Sequence, residues 1–233
     1  MGKKWIAVII IVLCTLVSVI SYYYWDLSLA IYWKGCKAVC CSMIDIALIA
    51  AVYGKTNALL CKDYGCSIID IAEIVTVFGE SQWYFILLIL VYVPLRLIWK
   101  NKLWSMKVLF IILSISASGL INVLVKWIAG RHRPINYFSN SLFGFSYFNL
   151  SHEATSFPSG HAVTAFCLAT AVSILFPRAG IAAFVIAILI GMSRIILASH
   201  YLSDVIAGAG IGILSAMIVK YCFDRKKIEL FKS

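Results

Sequence analysis

Residues 107–127 read KVLFIILSISASGLINVLVKW, and between Lys107 and Lys126 they carry no charge over eighteen residues. A transmembrane helix needs about 20 mostly apolar residues to match a ~30 Å hydrocarbon core, so this stretch reads as a span. Working outward, five other segments have the same character, approximately Trp5 to Trp25, Trp83 to Trp99, Ala162 to Phe176, Gly180 to Ala198 and Tyr201 to Phe223. Pro94 and Arg96 interrupt the second of the six, but Arg96 lies near its end, where a long side chain snorkels to the headgroups. Trp and Tyr mark many of the ends, as interfacial rings do.

Composition agrees. Of 233 residues, 63% are hydrophobic and 13% charged, with mean hydropathy +0.97. A soluble domain would carry about a quarter charged residues. The net charge of +10 raises nucleic acid as a partner, but hydropathy this high points to the bilayer instead. The expected fold is all-α: a polytopic membrane protein with six transmembrane helices and interfacial helices in the first outer loop. The chain divides into a first span (1–25), an outer loop (26–82) and a helical region with five spans (83–233). Oligomeric state is not legible.

Six spans place both termini on one side. That side collects Lys3, Lys4, Arg96, Lys100, Lys102, Lys107, Arg178, Lys220, Arg225, Lys226, Lys227 and Lys232 against Asp224 and Glu229, which is the whole excess of +10. The positive-inside rule makes it cytoplasmic. The expected setting is a bacterial inner membrane, with the opposite face periplasmic. The first segment lacks a small-x-small cleavage site before Tyr22-Tyr23-Tyr24, and Leu13 before Cys14 is a poor lipoprotein site, so a retained span is expected. Ile6 excludes N-myristoylation at Gly2.

The outer loop repeats itself at an offset of 25. From Cys36 to Gly54, eleven of nineteen positions match Cys61 to Gly79, including Cys41-Ser42 with Cys66-Ser67 and Ile44-Asp45-Ile46-Ala47 with Ile69-Asp70-Ile71-Ala72. In the second copy Ser67, Asp70, Glu73 and Thr76 recur every third residue, the pattern of an amphipathic interfacial helix. The first copy, Ala38 to Gly54, is apolar enough to suggest a seventh span. Asp70 and Glu73 make a span of its twin costly, which argues against that.

Cys36, Cys40, Cys41, Cys61 and Cys66 fall in this loop, while Cys14, Cys167 and Cys222 lie within spans. On an oxidising face a disulfide between the copies is easier than one from Cys36 to Cys41 within a helix. The CxxxCC and CxxxxC spacings miss the usual zinc pattern.

The remaining polar residues gather at span ends on the outer face. Lys126 closes the third span, and Arg133-Pro134 follows seven residues later, two turns on if helix persists. The fourth span opens with Pro158-Ser159-Gly160-His161, the fifth ends with Ser193-Arg194, and His200 and Asp204 open the sixth as an i,i+4 pair. Lys126, Arg133 and Arg194 suit a phosphate dianion, with charge-assisted hydrogen bonds worth roughly 1.5 to 3 kcal/mol each. Free backbone N–H groups at Ser159 and Gly160 would add a helix N-terminus to the cradle. His200, with a carboxylate one turn away, is suited to act as nucleophile, and His161 as general acid. Spacing alone leaves these two roles interchangeable. Arg131, His132, His152 and Glu153 read as loop residues or secondary headgroup contacts.

In order and spacing, Lys126 to Arg133-Pro134, Pro158-Ser159-Gly160-His161, and Ser193-Arg194 with His200 and Asp204 resemble the three motifs of the type 2 phosphatidic acid phosphatase superfamily. The resemblance implies cofactor-free, metal-independent removal of phosphate from a lipid phosphate in the bilayer. It implies that His200 forms a phosphohistidine, that Asp204 orients it and that His161 protonates the leaving group. Lys126, Arg133, Ser159, Gly160 and Arg194 would bind the phosphoryl oxygens. Phosphatidic acid, phosphatidylglycerophosphate, undecaprenyl diphosphate and a lipid A phosphate all fit. A lipid-to-lipid phosphotransferase and a non-catalytic membrane protein are the alternative classes. Tyr137, Phe138, Phe143, Phe145, Tyr147 and Phe148, between the first two motifs, read as interfacial anchors or as the lining of a path for an acyl or prenyl chain.

Overall fold

The computed structural model describes residues 3–40, 66–149, 151–228 and 230. Among these the elements are α1 (Lys3–Tyr24), α2 (Asp26–Cys40), α3 (Cys66–Val77), α4 (Ser81–Leu97), α5 (Lys102–Ala129), α6 (Pro134–Asn140), α7 (Gly160–Leu175), α8 (Gly180–Ile196) and α9 (Leu202–Arg225). Each of the six expected spans is a helix. Five helical runs are long and apolar enough to cross a bilayer: Ile6–Tyr24, Cys66–Leu97 (α3 and α4 taken together), Lys102–Ala129, Pro177–Ile196 and Leu202–Arg225. The sixth, α7, is apolar but has 16 residues, about 24 Å at 1.5 Å per residue.

This short helix is the centre of the bundle. It packs against α9, α8 and α5, and its buried residues include Ala162, Ala165, Ala169 and Ala171. Small side chains let helix backbones approach closely, which drives association where lipid is the solvent. α9 meets it with Gly208 and Gly212, one turn apart. A Cβ at Gly212 would lie 2.4 Å from the Val163 carbonyl oxygen, and one at Gly208 would lie 2.7 Å from that of Ser159. The α7–α9 contact is therefore set by backbone, and it fixes the N-terminus of α7 against the start of α9. By contrast α1 and α4 present Leu13, Leu16, Leu87 and Leu90 outward, as lipid-facing surfaces do.

α5 starts on an Asn101 cap, whose side chain accepts the Trp104 N–H at 3.2 Å. It stops at Gly130, which is left-handed at φ 55°, a conformation that costs an L side chain energy. Helix therefore does not persist to Pro134. Lys126 and Arg133 do not share a helix face; Arg133 instead caps α6.

The second copy of the duplicated segment is α3. Ile69 is buried against Cys36, Tyr32, Trp33, Ile196 and Leu197, while Ser67, Asp70 and Glu73 face outward. Lys37 Nζ lies 3.4 Å from Glu73 Oε1. Cys36 and Cys66 are each held in a disulfide, and Cys14, Cys167 and Cys222 are free. The first copy beyond Cys40, with Cys41, and the start of the second copy, with Cys61, lie outside the described residues.

Candidate active site

The three sequence motifs meet at one end of the bundle, where the N-termini of α7 and α9 adjoin the C-termini of α5 and α8. Lys126, Arg133, Arg194, His161 and His200 all lie within electrostatic reach of one another. Lys126 Nζ donates to the Thr155 carbonyl at 2.5 Å. Arg194 Nη1 donates to the Thr76 hydroxyl at 2.6 Å, so α3, the second copy of the duplication, supports a motif residue. Thr76 therefore turns from the outer polar stripe toward the site.

Several donors here have no partner. Among the described residues, Arg133 Nε, Arg194 Nε and the Ser159 hydroxyl are buried without an acceptor. Buried polar groups are almost always satisfied, so three orphaned groups on converging residues describe a cradle shaped for an anion. The Ser159 N–H is not part of it. That group donates to the Asp204 backbone carbonyl at 3.0 Å, so of the two N–H groups expected to be free, the one at Ser159 is already used. Its hydroxyl is the group left without a partner.

His200 lies just ahead of α9, in the turn that follows α8, and is 4% exposed. Its Nδ1 sits 2.8 Å from the Ser156 carbonyl, which fixes Nδ1 as the protonated nitrogen and leaves Nε2 with a lone pair. Asp204 Oδ2 is 3.6 Å from Nδ1, beyond a hydrogen bond. The i,i+4 pairing expected from spacing is thus indirect: Ser156 Oγ donates to Asp204 Oδ2 at 2.5 Å, and the Ser156 carbonyl holds the ring. Burial pushes the His200 pKa down to about 4, with Asp204 opposing and Lys126 and Arg133 reinforcing the shift. The ring is neutral at physiological pH.

Asp204 is anchored by an arginine assigned above to the loop. Arg131 is fully buried. Its Nη1 donates to Asp204 Oδ1 at 2.5 Å and to Ser203 Oγ at 2.6 Å, while Nη2 donates to Asp26 Oδ2 at 2.8 Å. The guanidinium carbon lies 4.3 Å from the Tyr201 ring centroid, 5.0 Å from Tyr22, 5.4 Å from Phe145 and 5.8 Å from Phe143. Phe143 and Phe145 therefore enclose a cation within the fold. Burial works against the Arg131 charge, but Asp204 and Asp26 outweigh it and hold the group above its ordinary pKa. Asp26, the first residue of the expected outer loop, is fully buried, and it also accepts from the Ser203 N–H at 2.9 Å and from Ser21 Oγ at 3.0 Å.

His161 lies across the cradle, tight against the turn between α3 and α4. A Cβ on Gly79 would sit 2.5 Å from His161 Cδ2. On this side a cavity of about 680 Å³ runs between α4, α5 and α7, lined by Glu80, Gln82, Phe85, Asn122, Gly160 and His161 among others. Asn122 was not singled out by sequence, yet its Oδ1 is buried and unpartnered. The signal was present: an amide within an otherwise apolar span, four residues before Lys126, is expensive unless it has a role. His152 and Glu153 are exposed and act through their carbonyls, that of Glu153 accepting the Arg133 N–H at 2.9 Å and that of His152 accepting from Thr155 Oγ1 at 2.9 Å.

Comparison with known proteins yields one family model, the PAP2 superfamily, matching residues 107–228. A lipid A 1-phosphatase of Rhizobium johnstonii is 35% identical over 116 residues, 50% of this chain and 48% of that protein. Phosphatidylglycerophosphatase B of Bacillus subtilis is 31% identical over 161 residues, 64% of this chain and 71% of that protein. The chain thus spans about half the length of the lipid A 1-phosphatase and more of the second relative. Among solved structures, a PAP2-type phosphatidylglycerolphosphate phosphatase from Bacillus subtilis superposes with TM-score 0.54 at 26% identity, covering 88% of this chain and 98% of that one.

Proposed function

The chain belongs to the PAP2 superfamily, and on that premise we propose that it is an integral-membrane lipid phosphatase acting on a terminal phosphate through a phosphohistidine. The observation that carries this reading is the set of unpartnered buried donors on Arg133, Arg194 and Ser159 beside a neutral His200. Such a set is suited to a bound oxyanion.

In the reading proposed, Lys126, Arg133, Arg194, the Ser159 hydroxyl and Gly160 bind the phosphoryl oxygens. His200 Nε2 attacks phosphorus while the P–O bond to the lipid breaks, and the departing oxygen takes a proton from His161. Water then attacks the phosphohistidine, giving its proton to His161 as the P–N bond breaks, and inorganic phosphate leaves. The Ser156 carbonyl holds the ring tautomer, and Asp204, 3.6 Å from Nδ1, stabilises the charge that the ring acquires. The twelve basic residues on the terminal side and the zero balance on the other support a site facing the periplasm, with both termini cytoplasmic.

The test is phosphate release by the purified full chain in mixed micelles of detergent and lipid monophosphates, with and without a chelator, beside His200→Ala. The expected result is chelator-insensitive release that His200→Ala abolishes, with an acid-labile phosphoenzyme trapped from radiolabelled substrate. Phosphate transferred to a second lipid in place of release would overturn the hydrolase reading. Full activity in His200→Ala would overturn the mechanism.

A further inference from the structure

Arg194 is held from a part of the chain that lies outside the PAP2 match, which begins at residue 107. Its side chain leaves α8 one turn beyond Ile190, and α3 with the turn after it covers that face. Ile69 packs beside Ile196 and Leu197 at the end of α8, while Val75 packs on the cluster that includes Ala187 and Ile190. The two helices therefore run antiparallel. A Cβ on Gly79 would lie 2.8 Å from Ile190 Cγ2, so the turn after α3 is closed onto the same face. Thr76, half-buried between these contacts, accepts from Arg194 Nη1 at 2.6 Å.

Which nitrogen is engaged matters. Nη1 lies on the Cδ side of a guanidinium, whereas Nε–H and one N–H of Nη2 are parallel and form the edge that grips two oxygens of a phosphate. Thr76 takes the group outside that edge. Nε, which belongs to it, is buried without an acceptor. The hydroxyl thus fixes the guanidinium plane and leaves the gripping edge unspent. Its neutrality matters as well, since a carboxylate at this position would offset the charge that a phosphate dianion needs. The acid in electrostatic reach of Arg194 is Glu80, whose Oε2 is held by Gln82 Nε2 and Trp83 Nε1 at 2.9 and 3.1 Å.

We propose that Thr76 is a positioning residue for phosphate binding. Its hydroxyl orients Arg194 so that the Nε–Nη2 edge meets the phosphoryl oxygens, which makes the second copy of the duplicated segment a working part of the active site. This rests on the oxyanion cradle of the phosphatase reading. Without that acceptor the phosphate itself must order a flexible side chain, and that ordering weakens binding.

The test compares Thr76→Val with Thr76→Ser in the full chain in detergent. Valine keeps both branches of threonine and loses the acceptor, whereas serine keeps the acceptor and loses a methyl group. Arginine side-chain NMR, with the Arg194 Nε signal assigned from its absence in Arg194→Lys, follows a titration with inorganic phosphate, and kcat/KM is measured in parallel on a lipid monophosphate. Half-saturation is expected at about tenfold higher phosphate in Thr76→Val, the scale of one hydrogen bond, and within about twofold of the parent in Thr76→Ser. The values of kcat/KM should follow the same order. A packing role predicts the reverse order, with serine the worse variant. That result, or equal midpoints in the two variants, would overturn the assignment. Phosphate that shifts the parent's Arg194 signal while no lipid phosphate is hydrolysed would overturn the phosphatase reading alone. A parent signal indifferent to phosphate would overturn the cradle and this assignment with it.

Discussion

Arg131 Nη1 lies 2.5 Å from Asp204 Oδ1, both side chains fully buried, and the same guanidinium reaches Asp26 at the start of α2. One cation thus ties the first two helices to the carboxylate nearest His200. Its planar fork can serve both acids at once, which the point charge of a lysine cannot. Removing one partner of a buried ion pair leaves uncompensated charge and costs about 3 to 5 kcal/mol. Arg131→Met is therefore expected to lower the unfolding temperature in detergent markedly. Arg131→Lys should retain more fold but lose about a hundredfold in kcat with little change in KM, because Asp204 is displaced while the phosphate cradle is intact. A charge-neutral structural role would leave kcat in the lysine variant near that of the parent.

The six helices and the eight motif positions were legible because both are local signals. Hydropathy over a window finds a span, and fixed spacing finds Lys126 to Arg133, Ser159 to His161 and Arg194 to Asp204. Arg131 was not legible as a structural ion. Its partner Asp26 is 105 residues away, and no periodicity connects a residue past the end of α1 with a loop after α5. Ser156 was invisible for a related reason, since it acts on His200 through a backbone carbonyl, which any residue type possesses. The same holds for the Ser159 N–H, engaged by another carbonyl. The shared face for Lys126 and Arg133 was conditional on helix persisting to Pro134, and that condition is not met, because the helix stops at Gly130, whose place just after an apolar span is the usual signature of a helix stop.

His200 should titrate far below a free imidazole. Burial disfavours the imidazolium and lowers the pKa to about 4, against about 6.5 for a free imidazole. The unfolded chain then binds more protons than the folded one between those values, so this residue's contribution to stability is present above pH 6.5 and is lost as pH falls toward 4. The nucleophile correspondingly stays unprotonated through the mildly acidic range. Ring-labelled histidine NMR, assigned by difference from His200→Ala, should show this resonance unmoved between pH 8 and 5. A midpoint near 6.5 would contradict the burial described.

Gly212 tests whether the α7–α9 contact positions the site. A Cβ there would lie 2.4 Å from the Val163 carbonyl oxygen and 2.8 Å from the Cys167 nitrogen, both backbone atoms that cannot turn aside. Gly212→Ala is expected to destabilise by about 1 to 3 kcal/mol, the range for overpacking, although alanine is the better helix former by about 1 kcal/mol. Because α7 carries His161 and α9 carries Asp204, turnover should fall with stability. A neutral or stabilised alanine variant, measured by thermal unfolding in detergent, would show that the two helices separate freely.

Gly79 makes the sharper test of His161, since it touches that side chain without belonging to a helix of the bundle. A Cβ at this position would stand 2.5 Å from His161 Cδ2, 2.8 Å from Ile190 Cγ2 and 2.9 Å from His161 Cβ. His161 Cδ2 and Ile190 Cγ2 are side-chain atoms that can turn, whereas His161 Cβ moves only with the α7 backbone. No positive φ is involved, and Gly79→Ala is expected to cost about 1 to 3 kcal/mol, the range for overpacking. The displaced ring would no longer meet the leaving oxygen within hydrogen-bond reach, and general acid catalysis is worth about 10²- to 10⁴-fold. The loss should depend on the leaving group. It should be large for an alkyl phosphate, whose alkoxide must be protonated as it departs, and small for an aryl phosphate such as p-nitrophenyl phosphate, whose phenolate leaves unaided. A loss equal for both substrates would assign Gly79 to phosphate binding and take the proton-donor role away from His161.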